Sequence, residues 1–220
     1  DTFTTVDAAQ TASAEQMEAF HKLGQIMDLV HAHGGLVDKN VYGVAAMMES
    51  SWHRQWYESL KVPQAIEIAK QALAEGKQVA LFTSYVNNSH NHITAIQNMF
   101  QKAADKADGP QKAQLQSAAN EIGTIIESLP DPAKSVQRMV EELGGPEMVS
   151  QIHGGANTNP VDEQKAYQSG QKKIMIGSVD KAGTGLSFHD TTGDAPRVQI
   201  NLSTPWGSNG FLQLEGRSHR

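Results

Sequence analysis

The sequence predicts an α/β fold, a parallel sheet covered by helices on both faces. Three observations carry this. Short apolar runs, QVALFTS at 78–84, 148–152, Ile174-Met175-Ile176 and Val198/Ile200/Leu202, read as strands. Longer segments of helical periodicity separate most of them, which is the spacing of crossover connections. Polar or glycine-containing loops follow the apolar runs at Ser84, Gly154, Ser178 and Pro205, so they gather on the carboxyl edge of such a sheet, where ligands of α/β folds bind.

Taken in order, residues 1–13 are rich in Thr and Ala and lack periodicity, as a linker or frayed terminus does. From 14 to 33, Met17, Phe20, Leu23, Met27 and Val30 recur every three or four residues, and Gly34-Gly35 stops that helix. A second helix is expected over 41–60, with Met48, Trp52, Trp56 and Leu60 along one stripe that serves the core rather than a ligand. Pro63 suits the first turn of a third helix ending at Glu75, with Gly76 as its stop. The strand 78–84 leads into a loop with Ser84, Asn87, Asn88 and Ser89. That loop is either a backbone contact for a nucleic acid or an Asn/Ser turn chosen for conformational tolerance.

Three further helices are expected at 92–107, 111–129 and 132–143, punctuated by Asp108-Gly109-Pro110 and Pro130-Asp131-Pro132. The strand 148–152 exits through His153-Gly154-Gly155, and a helix at 161–168 precedes the closing segment. There Ala182, Gly183, Thr184 and Gly185 permit close approach of the backbone to a phosphate or sugar. Arg217 and Arg220 are three apart and share a face if helical; two forked guanidiniums suit phosphate oxygens.

Composition sets the outer bounds. The 220 residues can bury a substantial core, and 39% hydrophobic with 19% charged residues is ordinary for a globular chain. No run is long enough to span a bilayer. The absence of Cys removes thiolate metal sites and disulfides and fits a reducing compartment: cytoplasmic, or nuclear in a eukaryote. A net charge of -6 argues against a dedicated nucleic-acid module but leaves room for a motor lobe with a few local cationic contacts.

AGTGLSFHD at 182–190 resembles motif V, and Gln213, Gly216, Arg217 and Arg220 resemble motif VI (Q-x-x-G-R-x-x-R), of superfamily 2 helicases and translocases. More narrowly, ELGGPEMVSQIHGG, KKIMIGSVDKAGTGLSFHD and the Pro-Trp of STPWGSNGFLQLEGRSHR are similar to the C-terminal motor domain of Strawberry notch-like helicases. The resemblance runs from about Trp52 to Arg220 and is weakest between Asn88 and Ala133. It implies a RecA-like C-terminal lobe over 61–220 with a helical insertion at about 89–145, preceded by a linker and helices over 1–60. The insertion is either an arm for a protein partner or a feature packed on the lobe.

By the same resemblance, Arg217 and Arg220 are arginine fingers directed at the γ-phosphate. Gln213 and Gly216 belong to the nucleotide-binding motif, and Gly183 and Gly185 approach the nucleotide or the bound strand. Ser84, Asn87, Ser178 and Thr184 are the candidate nucleic-acid contacts. Ser187 stands where many relatives have Asp or Asn, which removes the support for a ribose contact there.

ATP and Mg²⁺ are the implied cofactors, yet the chain has no Gly-Lys-Ser/Thr cradle and no acidic pair free of a capping role, since Asp162-Glu163 opens a helix. The implied partner is therefore a first RecA-like lobe of the same, larger protein, with DNA as the track. This chain alone is expected to be inactive and to be a fragment.

The competing reading is a non-catalytic RecA-like scaffold that binds a protein through its insertion, in phage or plasmid anti-restriction. Other chemistries find less support. Gly183-Thr184-Gly185 lacks the third glycine and the following βαβ unit of a dinucleotide fingerprint. His31/His33 and His90/His92, two apart, do not share a helical face as metal ligands, so no metal site is expected.

Overall fold

A computed structural model of the chain describes residues 14–84, 91–129, 135–178 and 196–203. The described elements run α1 (Ala14–His33), a 3₁₀ turn (Gly34–Leu36), α2 (Asn40–Ala74), β1 (Gln78–Thr83), α3 (Asn91–Lys106), α4 (Gly109–Ser128) and α5 (Ser135–Glu142). They continue with β2 (Val149–Ile152), α6 (Pro160–Gln168), β3 (Ile174–Ser178) and β4 (Arg197–Asn201). The four strands form one all-parallel sheet in the order β2-β3-β1-β4, the α/β class expected of a RecA-like lobe. Among the described residues no helix is long and apolar enough to cross a membrane.

The chain divides into two compact units. The sheet unit holds described residues 58–84, 135–178 and 196–203. Strand alternation sorts its core into two faces. Val79 and Leu81 of β1, Ile174 and Ile176 of β3 and Ile200 of β4 share one apolar cluster with Val62, Ile66 and Ala69 of α2 and Val136, Met139 and Val140 of α5. On the opposite face Ala80, Phe82, Ile152 and Met175 pack with Tyr167 of α6. Burial on both faces explains why β1 and β3 read as unbroken apolar runs rather than alternating ones.

The helical unit holds described residues 14–57 and 91–129. Leu23, Ile26 and Val30 of α1, Met48, Trp52 and Trp56 of α2, Ile93, Ile96 and Phe100 of α3 and Leu115 and Ile122 of α4 form one core. The segments at 14–57 and 91–128, distant in sequence, therefore share a core of their own. Gln101 and Gln116 exchange a reciprocal pair of amide hydrogen bonds, 2.9 and 2.8 Å, between α3 and α4.

Two expectations change. The helices expected at 41–60 and 63–75 are one continuous α2 with Pro63 inside it. A proline in a helix interior costs about 3 kcal/mol. Val62, Ala65, Ile66 and Ala69, all buried, lie on its sheet-facing stripe, and full burial of each larger side chain contributes about 1.5–3 kcal/mol, enough to carry the helix through. The buried stripe of α1 is also displaced: Ala19, Leu23, Ile26 and Val30 face the core, whereas Met17 is 59% exposed.

The Gly76 stop is built as expected. Gly76 has φ +79°, its amide bonds Leu73 O at 3.0 Å, and the Lys77 amide bonds Ala72 O at 3.0 Å, the paired closure of a left-handed helix end.

Gly24 and Gly43 lie inside helices with nothing within 4 Å of an added Cβ. Gly24→Ala and Gly43→Ala are each expected to raise stability by about 0.5–1 kcal/mol, read as a higher urea midpoint, because alanine restricts the unfolded chain without a steric penalty. A lowered midpoint would mean that the helical unit needs glycine there for another reason.

Candidate functional site

The carboxyl edge of the sheet is where the described part of the candidate site lies. Thr83 ends β1 and Ser178 ends β3, and the two are register partners on adjacent parallel strands. Ser84 follows Thr83 directly, His153 follows β2, and Leu202 and Ser203 follow β4. The order β2-β3-β1-β4 sends the chain from β1 outward past β3 to the β2 edge, then back from β3 past β1 to β4. The connections leaving β1 and β3 thus run in opposite senses across the sheet.

Thr83 falls on the same sheet face as Val79 and Leu81, the face covered by α2, and there it meets Glu58. This carboxylate is 2% exposed. It accepts hydrogen bonds from the Thr83 hydroxyl and the Ser203 hydroxyl, and from the Ser84 amide at 3.1 Å. Three donors on one buried carboxylate supply what its desolvation requires. One helical turn on, Lys61 donates from Nζ to the Leu202 carbonyl at 2.8 Å. Residues 58 and 61 of α2 therefore hold the exits of both β1 and β4.

At the β2 end the ties come from α6. Asn159 caps the helix, its Oδ1 accepting from the Val161 amide at 3.0 Å. Glu163 in the first turn accepts from the Gln151 amide at 3.0 Å and pairs with Lys172 at 3.0 Å; both side chains are largely buried. Asp162 and Glu163 thus stand where a helix start favours acidic groups, as the sequence implied. His153 lies beside Gln151, Nε2 to Oε1 at 3.3 Å, and burial holds its imidazole below the ordinary histidine range, toward the neutral form.

The amino edge carries a separate cluster. Arg197 donates to Gln78 Oε1 at 3.1 Å and Gln168 Oε1 at 2.9 Å, and its guanidinium lies 4.9 Å from the centre of the Tyr167 ring. Burial pushes the Tyr167 phenol well above its ordinary range, so it stays neutral. This cluster joins the starts of β1 and β4 to the end of α6, away from the carboxyl edge.

Of the residues singled out in the sequence, Ser84 and Ser178 are described, and the fold brings them to neighbouring strand ends. Asn87, Gly183, Thr184, Gly185, Gln213, Gly216, Arg217 and Arg220 lie outside the described residues. Glu58, Lys61, Thr83 and Ser203 were not anticipated. A signal for Glu58 exists: the buried stripe Val62, Ile66, Ala69, extended back one turn, lands on residue 58. A carboxylate on an apolar stripe calls for donors from elsewhere in the fold.

Comparison with known proteins gives partial similarity to Strawberry notch proteins. The chain is 27% identical over 116 residues to the Protein strawberry notch homolog of Caenorhabditis elegans, covering 40% of this chain and 6% of that protein. It is 24% identical over 115 residues to Protein strawberry notch of Drosophila melanogaster, covering 40% of this chain and 7% of that protein. Protein FORGETTER 1 of Arabidopsis thaliana is 22% identical over 185 residues, 72% of this chain and 13% of that protein. The chain therefore spans only about a tenth of the length of the relatives it matches. No family model matches the chain, and no solved structure matches it.

Proposed function

We propose that this chain is the C-terminal motor lobe of an ATP-dependent DNA helicase or translocase of superfamily 2. ATP and Mg²⁺ are held mainly by a first RecA-like lobe outside these 220 residues. Arg217 and Arg220 act across the interlobe cleft on the γ-phosphate as charge develops there, with Gln213 and Gly216 in the same motif. Gly183 and Gly185 let the backbone come close to nucleotide or strand. Ser84, Asn87, Ser178 and Thr184 contact the nucleic-acid backbone, which calls for phosphate and sugar contacts rather than base readout.

The observation that carries this reading is the order of segments along one sheet edge. AGTGLSFHD begins four residues after Ser178, the last residue of β3, and the segment with Gln213, Gly216, Arg217 and Arg220 follows β4. The parallel strands β3 and β4, which these segments follow in the sequence, end at the edge that holds Ser84. The partial similarity to Strawberry notch proteins and the all-parallel sheet point the same way.

Steady-state ATP hydrolysis by a protein carrying both lobes, with and without duplex DNA, tests the reading. Turnover is expected to rise on adding DNA, and the 220-residue chain alone is expected to show none. A two-lobe protein that hydrolyses no ATP would remove the motor assignment. Turnover by this chain alone would remove the two-lobe account.

A further inference from the structure

Glu58 is a group that the motif resemblance leaves without a role. It is a carboxylate on α2, buried at the edge where the proposed ligands bind, and three donors from two strand exits converge on it. A carboxylate is an unusual choice at a nucleic-acid edge, because it repels phosphate. Buried beneath the strand ends and satisfied by hydroxyl and amide donors, it presents that charge to the protein rather than to solvent.

The distribution of donors matters. At Thr83 and Ser203 the carboxylate takes the hydroxyls. At Ser84 it takes the backbone amide instead, and the Ser84 hydroxyl makes no hydrogen bond among the described residues. The backbone of Ser84 is thereby held without use of its hydroxyl. Lys61, three residues further along the helix, adds a cation at the β4 exit through its bond to the Leu202 carbonyl.

We propose that Glu58 is a positioning residue for nucleic-acid binding: through its hydrogen bonds to Thr83, Ser84 and Ser203 it locks the exits of β1 and β4 together and presents the Ser84 hydroxyl to a backbone phosphate. This inference rests on the motor reading for the identity of the ligand. The lock itself stands on the geometry alone.

Two variants separate the possibilities. Glu58→Met keeps the side-chain volume and removes both acceptors. Glu58→Gln keeps an acceptor for the Ser84 amide, and the hydroxyl facing its amide group can turn to accept.

Backbone hydrogen exchange in the 220-residue chain is the first readout. In Glu58→Met the Ser84 amide is expected to exchange at least about tenfold faster, as for loss of one charged hydrogen-bond partner, and the β1 amides to change little. Glu58→Gln restores protection. Unchanged exchange at Ser84 in Glu58→Met overturns the lock.

The second readout is the DNA concentration that gives half-maximal ATPase stimulation in a two-lobe protein. Glu58→Met is expected to raise it about tenfold, with turnover at saturating DNA much less affected, and Glu58→Gln to recover it. An equal fall in turnover with half-saturation unchanged would assign Glu58 a merely structural part and overturn the proposal. If Glu58→Met fails to fold, Ser203→Ala removes one tie at lower cost; a raised half-saturation supports the proposal and an unchanged one overturns it. A wild-type protein whose hydrolysis ignores DNA removes the motor reading, and the role toward nucleic acid falls with it. DNA stimulation in the wild type with unaltered half-saturation in the variant removes the positioning role alone.

Discussion

Arg217→Ala, in a protein carrying both lobes, is expected to lower DNA-stimulated ATP turnover by about 10³-fold or more, the range found where an arginine finger is removed. The size of the effect follows from when the guanidinium acts. In the loose transition state of phosphoryl transfer, charge shifts toward the bridging and leaving oxygens as that bond breaks, so on the role proposed for Arg217 its guanidinium stabilises the transition state far more than bound ATP. Nucleotide affinity, measured with a fluorescent ATP analogue, is accordingly expected to change little. Arg217→Lys is expected to recover only a small part of the rate, because an ammonium cannot present two parallel donors to phosphate oxygens. Wild-type turnover in Arg217→Ala would remove the role assigned to that residue, and weakened ATP binding with turnover retained would place it in ground-state recognition.

Phe82→Ala is expected to destabilise the sheet unit by about 3–5 kcal/mol, read as a lower midpoint in urea unfolding with the slope unchanged. The ring is fully buried on the central strand β1, in a cluster with Ile152, Tyr167 and Met175. Truncation removes its transfer free energy and leaves a hole between sheet and α6, because backbone hydrogen bonds on both sides of β1 prevent the strand from closing it. Phe82→Leu, nearer in volume, is expected to cost less than about 1.5 kcal/mol. A loss below about 1 kcal/mol for the alanine variant would show that the α6 face is loosely packed.

The elements were legible wherever local pattern and burial agree. QVALFT carries only two polar residues at its ends and lies buried along its whole length, so its composition alone marks a central strand. The helix at 14–33 follows from periodicity, although it passes at Gly34 into a 3₁₀ turn instead of ending on a left-handed glycine. Pro63 misled because proline is a local signal, and its penalty is outweighed by the apolar stripe of α2 against the sheet. Nothing local marks Gln101 and Gln116 as partners; fifteen residues apart, they meet only because α3 and α4 pack side by side.

By itself the sequence determined the strands, the crossover helices and the residues resembling motifs V and VI, because each depends on residue type at short spacing. The tertiary structure decided the strand order β2-β3-β1-β4, the shared core of residues 14–57 and 91–129, and the meeting of Glu58 with Thr83, Ser84 and Ser203. Those depend on contacts between residues from about 25 to 145 positions apart, as in the Glu58 bonds. Loop-closure entropy makes such contacts unfavourable singly, and only the simultaneous burial of a whole core selects them.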